Sequence, residues 1–298
     1  MIKITNLYKT FDNKRVLENL NCTIQTGSIY GLIGANGAGK STLLRIINDI
    51  YRRDSGHILI DDVEVENNEE VKQKLAFLSD DYYIMPGYTL QDLAEYYEAM
   101  YKKFDMEYLK DLAGKLKLDM NVKLDSLSKG LKRQCAIICV LSTKAEYIFF
   151  DETFDGLDPV VRNVMKKVIS KHMSDFGTTI VLTSHNLREL EDICDNLGVL
   201  YKGGVLFESE IDSLKTNMLK VQISLKGDFD KDSFDNLDML SFKKSGSVAT
   251  IILKGDREEI EEKLRAKDPI ILDFLTLTLE EIFIYEMEVI GYEFKDIV

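Results

Sequence analysis

A run of residues, Gly34-Ala35-Asn36-Gly37-Ala38-Gly39-Lys40-Ser41-Thr42, has the types and spacing of a phosphate cradle, G-x-x-x-x-G-K-[ST]. Glycines let the backbone curl until successive N–H groups face an anion. A helix beginning just after them aims its positive end at the same point. Lys40 can reach β- and γ-phosphates, and the Ser41 hydroxyl can ligate magnesium. The spacing therefore predicts that Asn36, Gly37, Ala38, Gly39, Lys40, Ser41 and Thr42 bind a nucleotide. A glycine-rich turn with no ligand is the plain alternative. It would not need an apolar strand before it and an amphipathic helix after it, and both are present.

Downstream, Tyr147-Ile148-Phe149-Phe150-Asp151-Glu152 is an apolar strand that ends in two carboxylates. Asp151 is placed to hold magnesium, directly or through water, and Glu152 to polarise an attacking water. A solvated acidic turn would look similar, but the phosphate loop upstream weighs against it. About thirty residues further on, the β-branched run Thr178–Thr183 is followed by Ser184-His185. A histidine at the C-terminal end of a strand in such a sheet faces the nucleotide crevice.

These groups need a scaffold, and the apolar periodicity supplies one. Ser28–Ile33 predicts the strand entering the loop. Lys40–Ile50 predicts the helix leaving it, with Leu43, Leu44, Ile46, Ile47 and Ile50 at helical spacing. Ile2–Leu7, Val16–Ile24 and His57–Asp61 read as strands of a β-rich opening. Leu90–Tyr101, Met106–Leu118 and Lys129–Leu141 read as helices of a lobe inserted over residues 88–145. Val160–Met173 and Leu187–Cys194 complete the alternation of helices with strands. The fold class expected is α/β, a mostly parallel sheet over residues 1–213. A small α+β domain with two strands and two helices (Arg257–Lys267 and Thr278–Glu286) is expected over residues 217–298.

Composition narrows the function. The 298 residues carry 51 acidic and 38 basic side chains, a formal charge of -13. Such a chain is repelled by nucleic-acid phosphates and anionic lipid, so no nucleic-acid partner is expected. No apolar run approaches the roughly 20 residues of a membrane helix, and the opening residues have no apolar signal core. Four scattered cysteines do not make a disulfide framework. The expectation is a cytoplasmic protein.

Taken in order, these motifs resemble the ATP-binding cassette (ABC) ATPases over about residues 1–210. Leu127-Ser128-Lys129-Gly130 resembles that family's signature, Gly156-Leu157-Asp158-Pro159 its D-loop, and Ser184-His185 its switch histidine. Phe11 stands where the family places an aromatic that stacks on adenine. The resemblance implies ATP and magnesium as ligands, with Ser41, Asp80 and Asp151 around the metal. It implies Glu152 as base and His185 as linchpin of hydrolysis. Two cassettes, identical or homologous, would pack head to tail, so that Ser128 and Gly130 contact the ATP of the partner while Asp158 links the two sites. It also implies a separate integral membrane subunit that would hold the chain at the inner face of the cell membrane.

Some residues depart from the family pattern. Asp80, in Leu78-Ser79-Asp80-Asp81, stands at the usual glutamine. Lys129 and Leu131 replace glycine and glutamine, Gln134 with Arg133 beside it replaces arginine, and Thr153 replaces proline. A serine–lysine–glycine signature resembles the bacterial drug, antibiotic-peptide and sodium exporter branch, as does Leu279-Glu280-Glu281-Ile282-Phe283 near the end. Tyr82, Tyr83, Met85 and Tyr88 lie where the family meets its membrane partner. A soluble ABC ATPase of DNA repair or translation is the alternative. Such relatives carry coiled-coil arms, zinc cysteines or tandem cassettes, which this sequence lacks. His57, His172 and the run Asp61–Glu70 are expected to be solvated, and Cys135 and Cys139 to pack in a core.

Overall fold

The computed structural model describes residues 1–216 and 218–289. The chain folds as two compact units, Met1–Glu208 and a second that begins at Ser209. In the first unit β1 (Ile2–Phe11) turns into β2 (Lys14–Ile24) through Asp12 and Asn13. Both turn residues have positive φ, which Asp and Asn tolerate. There follow β3 (Ile29–Ile33), α1 (Lys40–Ile47), β4 (Ser55–Ile60), β5 (Val63–Glu64), α2 (Glu69–Lys72) and β6 (Leu75–Leu78). Next come α3 (Leu90–Met100), α4 (Met106–Lys115), α5 (Lys129–Ser142), β7 (Tyr147–Phe150) and α6 (Pro159–Phe176). The unit closes with β8 (Thr179–Ser184), α7 (Leu187–Leu190), β9 (Asn196–Tyr201) and β10 (Gly204–Glu210), whose last two residues begin the second unit.

Two sheets carry this unit. Strands β2-β1-β4-β5 make an antiparallel sheet. In the other, ordered β10-β9-β3-β8-β7-β6, the strands from β9 to β6 are parallel. Every residue of β3, β7 and β8 is buried, as expected of strands covered on both faces. The apolar face of α1 packs with residues of both sheets, among them Leu20, Ile60, Tyr147 and Phe149, in one core. Because β3, β8, β7 and β6 run the same way in register, Ile33 lies beside Ser184 and Leu78 beside Phe150. Parallel order thus delivers the phosphate loop, the carboxylate pair, the histidine and Ser79–Asp81 to one edge. The helices α3, α4 and α5 pack on one another, each started by a side-chain cap: Thr89, Asp105 and Ser128.

The second unit contains α8 (Ile211–Thr216), β11 (Met218–Ser224), β12 (Met239–Ser245), β13 (Val248–Lys254), α9 (Arg257–Arg265), β14 (Ile271–Leu275) and α10 (Leu279–Val289). Its sheet, β12-β13-β11-β14, is antiparallel, and Ile260 and Leu264 of α9 join Val221, Ile223, Ile251 and Leu253 in a separate core. The expected boundary at residue 217 and the last expected residues, 290–298, lie outside the described residues.

The fold class is as expected, with four corrections. The second unit has four strands where two were expected. In β14 apolar residues stand on both faces, Leu272 and Phe274 inward and Ile271 and Leu275 exposed, so no period of two is visible. The helix expected over Leu187–Cys194 stops at Leu190, because Asp195 turns back to accept the Ile29 N–H at 2.7 Å. His172 is fully buried, not solvated. It follows Met165 and Ile169 on the packed face of α6, with Tyr108 Oη 3.0 Å from Nδ1 and Thr178 Oγ1 3.3 Å from Nε2. Asp61 also does more than meet water: it binds the Met1 ammonium at 2.7 Å and accepts the Tyr147 hydroxyl. His57 is exposed, as expected, and Cys135 and Cys139 lie buried along α5.

Candidate nucleotide-binding and hydrolysis site

The phosphate loop is shaped by close approach. A Cβ on Gly34 would lie 2.5 Å from the Leu200 carbonyl oxygen, so no side chain fits there. Gly37 and Gly39 have φ of 83° and 111°, which L side chains rarely adopt. Gly39 stands at the N-cap of α1 and brings no side chain to cap it. The first N–H groups of the helix are therefore free of a side-chain partner at the place where an anion would be met. A cleft of about 590 Å³ opens there. Asn36, Gly37, Gly39, Lys40, Ser41 and Thr42 line it together with Lys14, Val16, Asp80, Glu152 and Asp155. Ala38 does not line it, and its N–H donates to the Ala35 carbonyl at 3.0 Å.

Charge is organised around Lys40 and Glu152. The buried Lys40 ammonium donates to the Gly34 carbonyl at 2.7 Å and lies 3.2 Å from Glu152 Oε1. Glu152 Oε2 lies 3.2 Å from His185 Nδ1. Burial pushes the Glu152 carboxyl up, but Lys40 and His185 outweigh it and hold the group below its ordinary range, as a carboxylate. Its φ of 44° places a non-glycine residue in the left-handed region, a strain on the order of 1 kcal/mol. The backbone is held there by Thr183, whose Oγ1 accepts the Glu152 N–H at 2.9 Å and donates to Asp151 Oδ1 at 2.7 Å. Asp151 is buried. Asp155 lies 4.0 Å from His185 Nδ1, and burial raises its carboxyl against the pull of His185, with Glu152 and Glu189 raising it further.

Neither Asp151 nor His185 lines the cleft itself, and three further groups expected at the site lie apart from it. Phe11 is not in its lining and packs edge-on against Tyr51, ring centroids 5.6 Å apart. Ser128 caps α5, accepting the Leu131 N–H at 3.3 Å, and neither it nor Gly130 lines the cleft. Asp158 caps α6, accepting the Val160 and Val161 N–H groups at 3.1 Å, with Pro159 in the first turn.

The ABC transporter family pattern matches residues 17–155. The ABC transporter ATP-binding protein YtrB of Bacillus subtilis is 32% identical over 285 residues, covering 95% of this chain and 97% of YtrB. The chain belongs to the ABC transporter ATP-binding proteins. It is accordingly an ATPase and a nucleotide-binding subunit. The lantibiotic transport ATP-binding protein SrtF of Streptococcus pyogenes is 29% identical, covering 71% of this chain and 92% of SrtF. In three dimensions the ATPase superposes with a TM-score of 0.64 on the dimeric post-hydrolysis cassette MJ0796 bound to ADP and Pi. That match is at 22% identity and covers 71% of this chain and 99% of the other. Among the described residues, no helix is long and apolar enough to cross a membrane.

The oxygen groups at and beside the cleft suit magnesium, which prefers oxygen ligands: Ser41 and Asp80 line it, and Asp151 directly follows β7, next to the lining residue Glu152. Glu152, Asp155 and His185 also converge, with ligand atoms within 4.8 Å of one another. There Glu152 is already engaged by the Lys40 ammonium and by His185 Nδ1. The sequence reading missed Thr183, Asp155 and Arg133. A strand-end threonine next to Ser184-His185 was the available signal for the first. Nothing in one dimension places Arg133 against Asp80, 53 residues away.

Proposed function

We propose that the ATPase drives a bacterial-type exporter, binding ATP between two cassettes and working on a separate integral membrane subunit at the inner face of the membrane. The observation that carries the hydrolytic part is the placement of one carboxylate, Glu152, between Lys40 and His185 at the phosphate cleft. ATP phosphates are a stronger partner for Lys40 than Glu152 is, so a bound nucleotide draws the ammonium away. Glu152, left with His185, is then the acceptor for the proton of an attacking water. His185 orients that carboxylate, and Thr183 fixes the strand end from which it projects. Magnesium, held by Ser41, Asp151 and Asp80, would neutralise phosphate charge.

The in-trans reading of Ser128 and Gly130 is supported by their position at the start of α5, outside the cleft of their own chain. Asp158 would then act across the same interface while capping α6. Phe11 at the β1 end, packed on Tyr51 and under the Lys9 ammonium, keeps exposed ring surface that an adenine could meet. The exposed Tyr83 (79%) and Met85 (45%) suit contact with the membrane subunit. Export is supported by the serine–lysine–glycine signature.

Tagged Glu152→Gln protein, incubated with ATP and recovered from detergent-solubilised membranes, tests the assembly. A co-purifying multi-span protein is expected, and recovery of soluble partners alone would refute a membrane role. In inside-out vesicles carrying the complex, ATP-dependent accumulation of cargo in the lumen is expected, and ATP-dependent depletion would refute export.

A further inference from the structure

We propose that Arg133 is a positioning residue for the phosphate cleft, holding the Asp80 carboxylate at the cleft edge where it meets the cation that accompanies ATP. The inference rests on the reading of the cleft as a magnesium–ATP site.

Asp80 lines the phosphate cleft and also a neighbouring cavity of about 260 Å³ that reaches Lys129. Its side chain is 53% exposed, and a lone aspartate in that setting would spread over several rotamers. Arg133 is 1% exposed. Its Nη2 donates to Asp80 Oδ1 at 2.7 Å, and its Nη1 donates to the Ser79 carbonyl at 3.3 Å. The guanidinium carbon stands 5.0 Å from the centre of the Tyr82 ring, and Nε is buried with no hydrogen-bond partner.

A guanidinium does not lose its proton in a protein. A buried cation needs a counter-charge. Among the described residues, the carboxylate in ion-pair reach of Arg133 is Asp80. The arginine is fixed by its surroundings, and it fixes the aspartate. The same segment is also held by Arg45 of α1, which reaches Asp81 Oδ1 at 3.2 Å and Ser79 Oγ at 3.4 Å. Ser79–Asp81 is thereby tied both to the helix that leaves the phosphate loop and to the helix that Ser128 caps. An aspartate at residue 80 is shorter than the glutamine of the resembled pattern. Arg133 compensates by setting where the shorter carboxylate stands.

Binding of AMP-PNP, measured by titration calorimetry with Mg²⁺ and again with EDTA, reports how much Mg²⁺ tightens the complex. Arg133→Gln should lose at least about threefold of that tightening, while affinity in EDTA stays within about twofold. In an Asp80→Ala background the same replacement should change the tightening by less than about 1.5-fold, because Arg133 acts only through that carboxylate. Arg133→Lys keeps the charge but not the fork, and should lie between. It also carries the comparison if Arg133→Gln does not fold. Unaltered Mg²⁺ tightening in the Arg133 variants, or an equal loss without Asp80, overturns the inference. A wild-type protein that shows no Mg²⁺ tightening overturns the reading of the cleft instead.

Discussion

Glu152 carries a backbone strain, a lysine and a histidine in polar contact, and an adjacent threonine clamp, all at one position. Removing its charge should separate binding from turnover. Glu152→Gln is expected to retain ATP affinity within a few-fold and to lower phosphate release by at least about 100-fold, the scale of a lost general base. Release at the wild-type rate would remove Glu152 from that role. His172 gives a second test at this scale. Burial, with Lys144 nearby, pushes its pKa down to about 4. The unfolded histidine titrates near 6.5. As the folded pKa lies below the unfolded one, the stabilisation is complete above about pH 6.5 and is lost as pH falls toward 4. The loss approaches about 3 kcal/mol at most. Urea unfolding of wild type and His172→Gln at pH 7.5 and pH 5 checks this: the wild type should lose stability more steeply on acidification, and equal slopes would contradict it.

At the scale of elements, helices α2 to α7 and α9 begin on side-chain caps, α1 begins on an uncapped glycine at the phosphate loop, and the strands end on chemistry. Asp158 illustrates how one residue can serve both. Its carboxylate caps α6, so Asp158→Ala should cost about 1 kcal/mol, seen as a lower Tm, while Asp158→Ser should recover most of it. ATP hydrolysis that stays low in Asp158→Ser after stability has returned would assign the carboxylate a role beyond the cap. Hydrolysis that recovers with stability would leave it as a cap. Phase along α6 also accounts for His172: Met165, Ile169 and His172 share one face, so helical spacing already placed the imidazole inward.

At the scale of the molecule, the two units have separate cores, one built around α1 and its sheets and one around α9. A chain ending after β10, at residue 210, should therefore unfold cooperatively and bind ATP within a few-fold of the full chain. Calorimetry and nucleotide titration would show this, and a truncated chain that does not fold would mean that the units depend on each other.

The phosphate loop, the strand-end carboxylates and His185 were legible in the sequence because their chemistry depends on residue type at short spacing, and the flanking apolar runs announce the strands that present them. The α/β class followed from the same alternation. Strand β14 was not legible, since an edge strand apolar on both faces has no period to read, and the early stop of α7 depends on a contact from Asp195 to β3. The meeting of Glu152 with Lys40, of Thr183 with Asp151, and of Arg133 with Asp80 was decided only by tertiary structure. Parallel register carries strand ends that are far apart in the chain to one edge, and burial then selects which charges must pair.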